Sequence, residues 1–395
     1  MKILHTSDWH LGQNFMNKSR KEEHSSFLDW LLEIISTQNI DILIVAGDIF
    51  DTTTPPSYAR ELYFNFLAKI NQTSIRYVII IAGNHDSIAT LKAPQEILKL
   101  LNIFVITSED IDKDEIIKIY NKEKELEALI CGVAFLRDGV VRKSISNQTS
   151  LEKSKQLTQG ITDYYTNIYN KAKAISSTVP IITTGHFTTV GAKNSDSERE
   201  IYIGGTLDID SSILSNKFDY VALGHLHINQ KVQVDNVRYS GSPIPLSFSE
   251  ASRVKKINIV EFKNKNVEIK EIDIPMFRQL FLLKGDLKTL TQNLKEITDT
   301  DSWIEIHIKD DNPYMTNNTL RELGQELGLN ILAIKIEQDT KILKSDDIKA
   351  INLDDLAPID IFKKRLSHDN LDKELEDILI NEFKIILNEV TYENS

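Results

Sequence analysis

The chain has 395 residues, 41% of them hydrophobic and 26% charged, the composition of a folded globular protein and a length that one core rarely serves, so two or three domains are expected. Against 46 Lys and Arg stand 58 Asp and Glu, for a formal charge of −12 and a pI near 5.3, which argues against unaided binding to a phosphate backbone. No apolar run nears the ~18 residues of a membrane helix, a catalytic-looking motif beginning by Ile3 leaves no room for a secretory signal, and the lone Cys131 excludes internal disulfides and thiolate metal sites; a cytoplasmic protein without membrane contact is expected.

Short apolar runs at 3–6, 42–46, 77–82, 129–134, 180–184 and 220–223 have the length of buried strands. Between the early ones Phe27, Trp30, Leu31, Ile34 and Ile35 recur at helical spacing, and 59–70 follows the Pro55-Pro56 punctuation as a second helix. That alternation predicts a layered α/β domain over 1–274. From 231 to 272 the pattern turns to paired strands, with Asp235-Asn236 as the turn between Val232 and Tyr239. Residues 275–356 then read strand (279–283), helix (287–297), strand (303–308), helix (317–327), strand (331–337), a small α/β module. The remainder, 357–395, is helical and charged, with Leu371, Leu375, Ile378, Leu379, Phe383, Ile386 and Leu387 along one face.

Five segments place a metal-competent residue directly after a predicted strand: Asp8-Trp9-His10, Gly47-Asp48, Gly83-Asn84-His85, Gly185-His186 and Gly224-His225-Leu226-His227. Strand ends on one sheet edge converge on one crevice. Glycine immediately before Asp48, Asn84, His186 and His225 lets the backbone turn sharply there. A single His or Asp at a strand end is more often a cap or turn former, but five such segments, holding five of the nine histidines, are not explained that way. His5, His24, His307 and His368 read as ordinary. Two Asp, one Asn and four or five His offer oxygen and imidazole donors without sulfur, suited to manganese and also to iron or zinc. Seven ligands are too many for one ion, and two ions sharing a carboxylate would clamp the oxygens of a phosphoryl transfer.

The motifs D-x-H, G-D-x-x-D, G-N-H-D, G-H and G-H-x-H in this order resemble the calcineurin-like metallophosphoesterases. Within them the runs His5 through Gly12, Gly47 through Asp51 to Pro55-Pro56-Ser57-Tyr58-Ala59-Arg60, Gly83 to Ser87 and Tyr239-Ser240-Gly241-Ser242-Pro243 are similar to the SbcD branch of the double-strand-break repair nucleases. The resemblance implies that Asp8, His10 and His227 hold one ion, that Asn84, His186 and His225 hold a second, and that Asp48 bridges them. It makes His85 the catalytic histidine, with Asp51 and Asp86 orienting ligands. It further implies a pair of Mn²⁺ ions, with Mg²⁺ as a substitute, a capping domain over 275–356, a homodimer, and an SbcC-type ATPase partner. The implied activity is ATP-dependent exonuclease action on double-stranded DNA and endonuclease action on single strands and hairpins. Thr53 departs from the glycine expected in SbcD relatives and bears only on local loop shape.

A phosphatase or cyclic-nucleotide phosphodiesterase using the same site is the main rival, but protein phosphatases of this kind read G-D-x-x-D-R-G and G-N-H-E, where this chain has Thr52-Thr53 and Asp86. A scaffold that had lost catalysis would lack motif positions, and all are filled. The C-terminal face either packs on its own domain or docks on the ATPase, with Leu375, Leu379 and Phe383 as anchors. Lys18, Arg20, Lys21, Arg137, Arg142 and Lys143 are the candidates for a local basic cluster that would offset the net charge.

Overall fold

Strands and helices alternate through the first half of the chain because fully apolar runs are separated by amphipathic ones. The computed structural model describes residues 1–107, 116–141, 150–193, 195, 198, 209–263, 266–310, 312–337, 359, 362, 366 and 378–384. Ile42–Ala46 is buried at every position, the signature of a central parallel strand covered on both faces. The helix Lys21–Thr37 buries Phe27, Leu28, Leu31 and Ile35 on one stripe, with Glu22 and Glu23 in its first turn complementing the helix dipole. Ser57–Ile70 does the same with Ala59, Tyr63, Phe66, Leu67 and Ile70.

Two six-stranded sheets form the main body. The first runs in the order Asn266–Asp273, Lys256–Lys263, Lys2–Thr6, Ile42–Ala46, Tyr77–Ile81, Ile103–Ile106. The second runs Gln230–Val232, Val234–Tyr239, Tyr220–Gly224, Ile181–His186, Leu126–Cys131, Ile116–Tyr120. They pack face to face: one core cluster joins Ile3, Ile44 and Ile80 of the first sheet to Ile130, Ile182 and Ala222 of the second. The helix Ser150–Ile175 covers the outer face of the second sheet with Leu157, Ile161, Tyr165, Ile168 and Ala172. His5 stitches the sheets together, its Nδ1 2.9 Å from the Tyr220 hydroxyl and its Nε2 3.1 Å from the Leu223 carbonyl.

A third sheet of three parallel strands, Leu280–Gly285, Trp303–Ile308 and Asn330–Ile336, carries the helices Leu287–Glu296 and Pro313–Glu326. Its first strand and helix and the strand from Trp303 follow the predicted pattern; the second helix begins earlier than expected, since Pro313 is pre-organised for its first turn. The expected turn at Asp235-Asn236 is not there. Both lie within Val234–Tyr239, and the chain reverses at Gln233, which takes a left-handed φ of 58°. Gln338–Ser395 forms a separate compact unit. Within it the Phe362 and Phe383 rings stack at 4.0 Å, so Phe383 of the expected anchor face already has an aromatic partner, while Ile378 is 54% exposed. Leu371, Leu375, Ile386, Leu387 and His368 lie outside the described residues.

Candidate metal centre

Parallel register brings the predicted strand ends level. Thr6 pairs with Val45 and Ala46 with Ile81, so the loops bearing Asp8, Asp48 and Asn84 leave one edge of the first sheet side by side. Gly224 pairs with His186, so His186 and His225 leave the second sheet together. The five segments thus come from two sheets, not from one sheet edge, and meet where the sheets touch. Alternating apolar runs look the same whichever sheet takes them, which is why the sequence pattern does not separate them.

The glycines have a reason beyond turning. Only Gly47, at φ 90°, has the left-handed backbone that favours glycine, and a Cβ there would also lie 2.3 Å from His186 Nδ1. At Gly83 a Cβ would strike the Asp48 carboxylate at 2.1 Å, and at Gly224 the Ala46 carbonyl at 1.9 Å. These two positions need empty space for neighbouring chains. Asp8 (52°), His10 (46°), Asp48 (49°) and His225 (94°) all adopt positive φ, which costs roughly 1–2 kcal/mol each for non-glycine residues and concentrates at functional sites.

The geometry divides around Asp48. Donor atoms of Asp8, His10 and His227 lie within 4.8 Å of one another, as do those of Asp48, His186 and His225. Asp48 Oδ2 is 3.2 Å from His186 Nε2 and 3.7 Å from His10 Nε2, and so faces both groups. Asn84 Oδ1 is 3.0 Å from His186 Nε2. The His10 ring lies 4.9 Å from that of His85 and 5.2 Å from that of His227, while His186 and His225 are 5.4 Å apart.

Loop hydrogen bonds fix the side chains. Asp86 accepts from the amides of Gly83 (2.8 Å), Phe50 (2.9 Å) and Ile49 (3.1 Å), which locks the Asp48 loop to the Asn84 loop. Asp51 Oδ1 is 3.1 Å from His10 Nδ1, and its carbonyl is 2.7 Å from His85 Nδ1. The Ala46 carbonyl is 2.9 Å from His186 Nδ1. Ser7 donates to Asp8 Oδ2, whose Oδ1 accepts from the His225 amide. Ser7, Glu198 (accepting from the His227 amide at 2.7 Å) and Glu250 (3.8 Å from His227 Nδ1) were not assigned from sequence. Ser7 stood inside a recognised motif, but nothing local marks the two glutamates.

Burial disfavours every charge in this cluster, yet Asp48 is held well below the usual carboxylate range by His186, His10 and His85. His186 is raised in turn to about 9, burial opposing and Asp48 favouring its charge. Burial pushes the Asp8 carboxyl up, and burial with the nearby His186 pushes His225 well down. His10 Nε2 is buried with no hydrogen-bond partner among the described residues, an orphan that a cation between His10 and Asp48 would satisfy. Carboxylate and imidazole donors without thiolate suit hard to borderline divalent ions. The residues therefore fit the expected metals.

Of the basic candidates, Arg20 is not available to a phosphate backbone. It is 1% exposed, 2.8 Å from Glu23 and bonded to the Pro245 carbonyl. Arg142 and Lys143 lie outside the described residues.

A layered pair of sheets presenting carboxylates and imidazoles from five strand ends around Asp48 defines a metal-dependent phosphoesterase centre. Residues 1–229 match the family model for the calcineurin-like phosphoesterases, and residues 276–370 match the SbcD C-terminal model, described as the type 5 capsule protein repressor C-terminal domain. The SbcD subunit of the nuclease SbcCD from Escherichia coli is 38% identical over the whole of both chains. Its counterpart in Bacillus subtilis is 31% identical over 78% of this chain and 79% of its own, and that in Rhodobacter capsulatus 34% identical over 63% and 64%. The chain belongs to the SbcD nuclease subunit family of the calcineurin-like phosphoesterases. It is a metal-dependent phosphodiester hydrolase. Among the described residues no helix is long and apolar enough to cross a membrane.

Proposed function

We propose that this chain is the nuclease subunit of an SbcC-type ATPase complex, cutting DNA with two manganese ions. The observation that carries the reading is Asp48, whose Oδ2 faces a His ligand group from each side, at 3.2 and 3.7 Å. Asp8, His10 and His227 would hold one ion, Asn84, His186 and His225 the other, and Asp48 would bridge. Divalent ions there lower the pKa of water and offset charge on the phosphate oxygens. His85 stands beside both groups. Its Nδ1 donates to the Asp51 carbonyl, which assigns proton exchange with substrate to Nε2. Asp51 and Asp86 keep the ligands oriented.

DNA is the substrate in this reading, with ATP-dependent exonuclease action on duplexes and endonuclease action on single strands and hairpins. The same reading makes the chain a homodimer, as the resemblance to the SbcD branch implies. The C-terminal segment, 357–395, is assigned to docking on the ATPase, and a partner that tracks DNA would supply a cationic surface to offset the net charge of −12. The domain reading keeps 1–274 as nuclease, 275–356 as cap and 357–395 as docking segment.

The test is cleavage by the chain alone and co-expressed with the ATPase, in Mn²⁺ and in Mg²⁺, on duplex, hairpin and phosphopeptide substrates. Manganese-dependent DNA cutting stimulated by ATPase and ATP is expected. Phosphopeptide turnover without DNA cleavage would replace the nuclease reading with a phosphatase one.

A further inference from the structure

Two histidines at the centre turn Nδ1 to a fixed acceptor, His10 to Asp51 and His186 to the Ala46 carbonyl, and a third, His227, holds its Nδ1 3.8 Å from the Glu250 carboxylate. Such acceptors set the ring orientation and basicity of a metal-binding imidazole. The first two belong to the ligand-bearing loops themselves. Glu250 belongs to the one-turn 3-10 helix Phe248–Glu250 and is fully buried. Its carboxylate forms an ion pair with the Lys255 ammonium. Its oxygens also accept from Ser195 Oγ (2.9 Å), the Leu246 amide (3.2 Å) and Lys255 Nζ. Lys255 donates further to Ser242 Oγ (2.8 Å) and to the His227 carbonyl (3.1 Å). The carboxylate has little freedom to rotate.

The other end of the same turn belongs to a different sheet. Phe248 is buried in a cluster with Phe15, Leu280 and Trp303. Phe15 meets Phe248 edge-on at 5.2 Å and stacks on Trp303 at 5.5 Å. Leu280 and Trp303 open neighbouring strands of the three-stranded parallel sheet. Arg20 and Arg278 cover Trp303 at 5.3 and 4.9 Å, and both guanidinium groups face Glu23. The sheet is therefore seated on this turn by aromatic packing.

We propose that the Phe248–Glu250 turn ties the two together: Glu250 is a positioning residue for His227, and the seating of the small parallel sheet on Phe248 sets how well the Asp8, His10, His227 group holds its ion. Two residues apart on a rigid 3-10 turn, Phe248 and Glu250 cannot shift independently. Among the described residues the orienting contacts of the Asn84, His186, His225 group come instead from Ala46, Asp48 and Asp8. The inference rests on the two-ion assignment made under Proposed function.

The experiment is Mn²⁺ titration of the full chain by calorimetry, with low-temperature electron paramagnetic resonance reporting the spin-coupled pair. Wild type should bind two ions; binding of one or none would overturn the two-ion assignment itself. Glu250→Gln strands a buried Lys255 ammonium, so the double variant Glu250→Gln, Lys255→Met, which removes both charges at similar volume, is measured beside it. Each should weaken one ion by about 10–100-fold, leave the other unchanged, and lose the coupled signal at stoichiometric Mn²⁺ but regain it in excess. Phe248→Ala should weaken the same ion, and Phe248→Leu, which keeps apolar bulk, should largely restore it. With wild type binding two ions, the tie is overturned by unchanged affinities in the double variant or in Phe248→Ala, or by equal weakening of both ions.

Discussion

Replacing His85 by Ala separates catalysis from metal binding more sharply than any other change at the centre. The backbone contribution survives the substitution, because it is the His85 amide that donates to Asp48 Oδ1, at 2.9 Å. The bonds that seat Asp86 and His186 are likewise untouched. What is lost is the ring, with one hydrogen bond to the Asp51 carbonyl and an edge contact to His10. Removing a hydrogen bond that merely steadies a charged group costs about 1.5–3 kcal/mol, roughly 10–150-fold in rate. Loss of a group that also transfers a proton costs about 10²–10⁴-fold. Both ions and DNA affinity should therefore be retained in His85→Ala while single-turnover cleavage falls by at least ~10²-fold, and the pH–rate profile should lose the limb belonging to this residue. Metal affinity measured by calorimetry and cleavage measured under saturating Mn²⁺ decide the matter. If one ion is lost in step with activity, or if cleavage falls by less than ~10²-fold, or if both limbs of the pH–rate profile survive, His85 is a support or a ligand and not the proton-transferring group.

Asp48→Ala should weaken both ions, by at least about the 10–100-fold that loss of an orienting partner costs; calorimetry showing one ion at full strength would remove the bridge. Truncation after Leu356 should leave metal binding and weak manganese-dependent cleavage intact while abolishing co-purification with the ATPase. A truncated chain that still captures the partner refutes the docking assignment, and one that unfolds favours packing within the chain. His5, pushed down to about 3 by burial, is neutral in the fold; its contribution is fully present above its unfolded value near 6.5 and is lost as pH falls toward 3. For this residue alone the loss is about 2 kcal/mol at pH 5. Urea unfolding of metal-free wild type and His5→Gln at pH 7.5 and pH 5 should show their stability gap narrowing by about that amount; a gap that does not change with pH contradicts a neutral buried His5.

The elements and motif residues were legible in the sequence because their causes are local. Five apolar runs each end beside a polar side chain, and the helix stripes of Phe27–Leu31–Ile35 and Tyr63–Leu67–Ile70 follow from periodicity alone. Motif order also carried the family. What bound the pieces together was not local. Asp8 accepts from the amide of His225 more than two hundred residues away, and no pattern assigns Asp8 to one sheet and His225 to the other. The positive φ of Asp8, His10, Asp48 and His225, the burial of Arg20 against Glu23, and the reversal at Gln233 are imposed by neighbours rather than by intrinsic preference. The same holds for Glu250: a glutamate in a serine-rich loop reads as solvated surface, and only the packing of Phe248 against Phe15 and Trp303 brings its carboxylate beneath His227, where burial and Lys255 keep it in place.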